Sequence, residues 1–238
     1  MTIDIAALTD TGLVRAHNED CVLARKLPDG SILLAVADGV GGLQGGEVAS
    51  AEAIATITDE SLWAQAGDPR STLERGFDVA NTRVRDIGRE QRRPMASTLV
   101  AALVRDGRVW VTNVGDSRAY LFDGDRLERL SRDHSLVEER VLAGVITAEE
   151  GERSDYRNVI TRGIGVEETV EPESFGPVSL PPDGVLLLCS DGLHGPVAHH
   201  QIAVALSSGK ADTMAERLIG MANQAGGPDN ISVVILKG

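Results

Sequence analysis

The stretch Leu33-Leu34-Ala35-Val36-Ala37-Asp38-Gly39-Val40-Gly41-Gly42 runs apolar, stops on a single carboxylate and continues in glycine. A short apolar run bounded by turn residues reads as a buried strand. This one carries Asp38 to its end, where Gly39 lets the backbone turn and come close to a ligand. The same punctuation returns in Val185-Leu186-Leu187-Leu188-Cys189-Ser190-Asp191-Gly192. A third version is Gly227-Pro228-Asp229-Asn230, which leads straight into the strand-like Ile231-Ser232-Val233-Val234-Ile235. Any one Asp-Gly after a strand is an ordinary turn signal. The set is different, because it places three carboxylates at the ends of rigid elements that can converge. Converging carboxylates repel and are expensive to desolvate unless a cation sits between them. With oxygen donors and no His or Cys cluster at zinc spacing, the expected ion is magnesium or manganese.

Outward from these stretches, residues 2–9, 21–26 and 31–37 read as strands, with Arg15 to Asp20 on the connection between the first two. From Gly45 the period changes: Val48, Ala51, Ile54, Ala55 and Leu62 fall at helical spacing through about Trp63. A second helix is expected from Ser71 to about Arg89, entered through Asp68-Pro69, with Leu73, Phe77, Ala80 and Val84 on one face. These consecutive helices should pack side by side. Strands follow at 97–105, 108–114, 118–122 and 127–130, read as one meander whose joints Asp106-Gly107 and Asp123-Gly124 carry hairpin chemistry. A helix from His134 to Leu142 precedes a polar excursion, Ala143 to Asn158, expected to be a mobile flap with Gly144 and Gly151 as its flexible points. Strands at 170–178, 184–190 and 231–237 and helices at 198–207 and 210–224 complete the chain. Many strands with helices in two pairs predict an α+β fold, a four-layer αββα sandwich, formed as a single domain over residues 1–238.

Composition narrows the partners. The net charge of -13 disfavours nucleic acid and anionic membrane surfaces, which need an excess of Lys and Arg. Aromatic content of 3% means a core of Val, Leu, Ile and Ala. Cys21 and Cys189 each lie in an apolar strand-like run, so reduced buried thiols are expected rather than a disulfide. No basic leader precedes an apolar segment, and no apolar run approaches membrane-spanning length, so the expected location is cytoplasmic.

Further short motifs accompany the three carboxylate stretches in order: Thr9-Asp10-Thr11-Gly12, Arg15-Ala16-His17-Asn18-Glu19-Asp20, Val114-Gly115-Asp116-Ser117-Arg118 and Ser131-Arg132-Asp133-His134. Over essentially its whole length the chain resembles the metal-dependent serine/threonine protein phosphatases, the type 2C or PPM class. The resemblance implies the same four-layer fold and hydrolysis of phosphoserine and phosphothreonine in proteins, by a bridging hydroxide between two Mg2+ or Mn2+ ions. Asp38 would bridge the two metals, the Gly39 carbonyl would ligate the second, and Asp191 and Asp229 would hold the first. Glu19 and Asp20 would act through metal-bound waters, or else form a polar turn. Asp133 matches the position at which relatives bind a weaker third ion, with a helix N-cap as the competing reading. Arg15 is expected to grip the phosphate with a planar guanidinium. Arg118 and Arg162 are read as holding the fold, and His17 and His134 as structural. Val40 stands where some relatives carry a proton-donating histidine, which leaves the general acid unassigned. Expected partners are phosphorylated proteins and a cognate kinase, with the chain a monomer. Two other readings stay open: a catalytically silent phosphoprotein-binding module, and a phosphatase dedicated to a single regulator.

Overall fold

The computed structural model describes residues 3–40, 45–63 and 67–238. Thr2 of the expected first strand and Gly41-Gly42 lie outside them. In chain order the strands are β1 (Asp4–Asp10), β2 (Asp20–Lys26), β3 (Ile32–Asp38), β4 (Leu99–Arg105), β5 (Arg108–Val114), β6 (Arg118–Phe122), β7 (Leu127–Arg129), β8 (Glu173–Ser179), β9 (Val185–Cys189) and β10 (Ile231–Lys237). The helices are α1 (Gly46–Ile57), α2 (Glu60–Trp63), α3 (Pro69–Glu90), α4 (Leu136–Leu142), α5 (Ala148–Glu152), α6 (Asp191–His194), α7 (His199–Leu206) and α8 (Ala211–Gln224). Two antiparallel five-stranded sheets result, ordered β1-β10-β9-β6-β7 and β2-β3-β4-β5-β8.

Three apolar clusters show the four layers. One joins α1 and α3 to the second sheet through Ala53, Ile57, Phe77 and Leu99. Another joins α7 and α8 to the first sheet through Ile202, Leu218, Leu187 and Val233. The third lies between the sheets and holds Leu34, Val36, Val100, Leu188 and Val234. Side chains alternate across a strand. In β3, Leu33, Ala35 and Ala37 face the helices, while Ile32, Leu34 and Val36 face the other sheet. Asp38 shares the parity of the second group, and so does Asp20 beyond Val22 and Ala24 of β2. Both carboxylates therefore belong to the inter-sheet layer, at one end of the sandwich.

Three expectations need correction. The single helix expected to run to Trp63 ends at Ile57. There the Asp59 carboxylate accepts from the Ser61 amide at 3.0 Å, and the Trp63 indole donates to the Ile57 carbonyl at 2.8 Å, which folds α2 back on the end of α1. The meander is divided between sheets: β4 and β5 pair in one, β6 and β7 in the other. The chain crosses at Gly115, where φ is +101° and a Cβ would lie 2.6 Å from Thr98 Cγ2, a position that only glycine can occupy. Finally, α4 begins at Leu136 and is capped by Ser135, whose hydroxyl accepts from the Glu138 amide. Asp133 is thus not the N-cap.

The excursion after α4 is built rather than structureless. Thr147 and Glu150 form a capping box at the start of α5. Gly151 lies inside that helix, where a Cβ would rest against Val141, Val137 and Ile146, so it is a packing position and not a flexible point. Cys21 and Cys189 are both free; Cys189 is buried and Cys21 only partly so. No helix among the described residues is long and apolar enough to cross a membrane.

Candidate active site

At the inter-sheet end, Arg15, Glu19, Asp38, Gly39, Asp191 and Asp229 line one pocket of about 160 Å³. All six were singled out from sequence. The pocket also takes in Val40, Thr98, Asp116, Asn158, Ile160 and Asn230.

Its walls are fixed by hydrogen bonds between distant segments. Asp38 is clamped through its backbone: its amide donates to the Thr98 hydroxyl at 3.0 Å, and its carbonyl accepts from the Ser97 hydroxyl at 2.9 Å. Gly39 follows, donating its amide to the Glu19 carbonyl at 3.0 Å. A Cβ there would collide with the carbonyl of Gly46, so the glycine is required by the close approach of α1. Asn230, whose role sequence reading missed, ties the Arg15-to-Asp20 connection in place. Its Oδ1 accepts from the Glu19 amide at 2.8 Å, and its Nδ2 donates to the carbonyls of Thr11 and His17, each at 2.9 Å.

The electrostatics follow from crowding. Asp20 and Asp38 are directly opposite in the β2–β3 ladder, an arrangement that is unfavourable for like charges. Burial, then the charges of Asp20, Asp191, Asp116 and Asp229, hold the Asp38 carboxyl well above the usual range. Burial followed by Asp229 and Asp20 pushes Asp191 up to about 7. Asp20 rises to about 6, mainly through burial, despite hydrogen bonds from Ser232 and Ser190. Asp116 is likewise raised well above its ordinary value by burial and by Asp191. The Oδ1 atoms of Asp20 and Asp191 are buried without a hydrogen-bond partner. Arg15 supplies positive charge, donating to Asp229 at 2.8 Å while staying partly exposed.

The family model for Protein phosphatase 2C matches residues 14–229. The chain belongs to that family. Among relatives of this phosphatase, the serine/threonine phosphatase stp of Listeria innocua is 34% identical, with 96% of this chain and 93% of that protein covered. The solved structure of the Mycobacterium tuberculosis serine/threonine phosphatase PstP/Ppp is 36% identical at a TM-score of 0.89, covering 100% and 99% of the two chains. A PstP catalytic domain in complex with two manganese ions is 34% identical at a TM-score of 0.86, covering 99% and 97%. The expected class, a protein serine/threonine phosphatase, therefore stands.

The donor set of this phosphatase fits a hard divalent cation. All the side-chain donors are carboxylate oxygens, two of them are buried and unsatisfied, and their shared preference for protons is a preference for any positive charge. Among the described residues no three His, Cys, Asp or Glu side chains already close around one point. Asp229 is turned to Arg15, and Asp38 lies opposite Asp20 in the β2–β3 ladder.

Asp133 is placed elsewhere. Its carboxylate is 6% exposed and takes a fork from Arg118, with Nε at 2.9 Å and Nη2 at 2.6 Å, while Arg129 approaches at 3.6 Å. A carboxylate saturated by guanidinium has little left for a cation, and Asp133 does not line the pocket. Asp116 does. It sits in the quoted motif Val114 to Arg118, yet nothing local distinguishes it from Asp133. Arg118 holds the fold, as expected, and His134 is structural: buried, it accepts from the Gly115 amide at 3.2 Å. His17 is exposed, and no histidine lines the pocket among the described residues.

Proposed function

We propose that this chain removes phosphate from phosphoserine and phosphothreonine in cytoplasmic proteins, with two Mg2+ or Mn2+ ions, as a monomer opposing a serine/threonine kinase. The observation that carries the reading is the crowding of Asp38, Asp191 and Asp116 at one mouth, with Asp20 opposite Asp38 in the ladder, unpaired buried oxygens and a guanidinium beside them. The manganese in the PstP relative supports it.

Asp38, Asp191 and Asp229 would hold the ions with the Gly39 carbonyl, while Glu19 and Asp20 act through water. Asp116, rather than Asp133, is the carboxylate available to any further ion. When bound, such ions supply an acidified water and neutralise charge at phosphorus. Arg15 swings from Asp229 to present two donors to the phosphoryl oxygens. Ser190 donates to Asp20 at 2.8 Å and steadies that carboxylate. Val40 offers no proton, so the leaving alkoxide takes one from solvent. Asn158 and Ile160, at the end of the Ala143-to-Asn158 flap, border the site and contact the protein flanking the phosphoresidue.

The test is turnover of phosphothreonine peptides: abolished by a chelator, restored by manganese or magnesium. Full activity after metal removal would sink the reading. Capture of phosphopeptide without turnover would favour the silent binding module.

A further inference from the structure

A roomier cavity of about 350 Å³ lies beside the catalytic pocket and is rimmed by Arg85, Arg89, Arg92 and Arg93. Val84, Met95 and Val166 give it an apolar floor. In a chain of net charge -13, four arginines around one concavity form a local reversal of field. Arg89 has Asp86 at 3.7 Å. Among the described residues Arg85, Arg92 and Arg93 make no ion pair, and the buried Nε of Arg93 has no hydrogen-bond partner.

The backbone here is strained in a telling way. Helix α3 ends in a Schellman motif: the Arg92 amide donates to the Arg89 carbonyl at 3.2 Å, and the Arg93 amide to Gly88 at 3.0 Å. Its left-handed position is normally glycine, but here it is Arg92 at φ +53°. An arginine held where glycine would be easier suggests a use for the guanidinium.

Two segments run directly from this cavity to the catalytic pocket. Met95 lines the cavity; next to it the Ala96 carbonyl accepts from Val40, Ser97 holds Asp38, and Thr98 lines the catalytic pocket. Ile160 borders the catalytic pocket and Val166 the cavity, and a Cβ on Gly163 would lie 3.4 Å from the first and 3.0 Å from the second. Three residues of extended chain put the sites on the order of 10 Å apart.

We infer that this arginine cavity binds a second anionic side chain of the phosphoprotein substrate, a carboxylate or another phosphoryl group, about three residues from the one being hydrolysed. The inference rests on the phosphatase reading and names its substrate class: phosphorylated segments with an acidic or multiply phosphorylated flank. Guanidinium forks suit both oxyanions, and the apolar floor takes the methylenes of the same residue.

The experiment compares kcat/KM on manganese-loaded enzyme for phosphothreonine peptides bearing alanine, glutamate or a non-hydrolysable phosphonate at each flanking position. Para-nitrophenyl phosphate reports the catalytic pocket alone. Wild type is expected to prefer the anionic flank at one offset by about tenfold, corresponding to about 1.4 kcal/mol. The paired change Arg85→Ala with Arg93→Ala should cut that preference to about twofold or less and leave para-nitrophenyl phosphate turnover unchanged. Arg92→Gly should raise Tm by about 2–4 °C while weakening the preference, an opposition that a purely structural arginine would not produce. Equal rates on all flanks in wild type, or a preference that survives these variants, would overturn the inference and leave the phosphatase intact. No manganese-dependent turnover of any substrate would overturn both.

Discussion

Two groups of buried carboxylates lie at opposite extremes in this molecule. Around the pocket, Asp38, Asp191, Asp20 and Asp116 face one another, and all are pushed up in pKa, burial being the main cause. Asp133 is buried as well, which by itself would raise it, yet the charge and hydrogen bonds of Arg118 more than offset burial and hold it below its ordinary value. Asp116 and Asp133 match in residue type and in exposure, 7% and 6%, and the outcomes are opposite. What differs is whether the fold itself supplies the compensating charge. Where it does, the carboxylate is a structural tie; where it does not, the carboxylate is left with a charge that the fold does not neutralise, as the proposed metal site requires.

The largest expected effect breaks the first group. Asp38→Ala and Asp191→Ala should each lower manganese-dependent turnover by about a thousandfold or more, if each is a ligand of the proposed ion that supplies the nucleophile. The metal-free Tm should not fall, because a repelling charge has gone. A large loss of metal-free stability would place Asp38 and Asp191 in the structural class.

Breaking the second group should reverse the pattern. A third-ion ligand at Asp133, as the family resemblance implies, would mean that Asp133→Ala spares stability and costs rate. With Arg118 left charged and unpaired, the expectation is now a loss of about 3 kcal/mol of stability. Denaturant titration should show it, with kcat per folded molecule within about twofold of wild type. Unaltered stability with a rate loss of about tenfold would return Asp133 to the metal site.

Arg15 stands between the groups, a guanidinium within the pocket that is half exposed. Arg15→Ala should weaken transition-state binding by about 2–3 kcal/mol, read in kcat/KM, with little change in Tm. An unchanged kcat/KM would remove it from phosphate recognition.

The smallest effect is a pH dependence. Asp191, at about 7, and Asp20, at about 6, bind protons more tightly folded than unfolded. Their contribution to stability is therefore present at low pH and lost as pH rises through those values. The metal-free Tm should decline by a few degrees between about pH 5 and about pH 8. Saturating manganese should cancel or invert that slope, because the ion requires deprotonated ligands. Parallel slopes with and without manganese would mean that the ion does not contact these carboxylates.

Much of this was legible in the chain. The apolar run before Asp38 marked a strand rigid enough to aim a carboxylate, while the face that carboxylate shares with Leu34 and Val36 emerged from the packing. Asp68-Pro69 marked the entry of α3, where Asp68 does accept from the Ser71 amide at 3.0 Å. These features are local, set by side-chain period and by turn and cap chemistry within a few residues. Sheet membership was not local: β5 and β6 read as neighbours in one meander, and only the contact of Gly115 with Thr98 shows the chain passing from one sheet to the other. The choice between Asp116 and Asp133 was equally invisible. Both are aspartates in polar motifs, and their roles diverge only because Arg118 at the start of β6 reaches Asp133, beyond β7, across fifteen positions. The arginine cavity exists because the end of α3 meets Gly165 and Val166 from a distant part of the chain. A sequence states which charges a chain carries, but the energy of a buried charge depends on its neighbours in space, and those are chosen by packing.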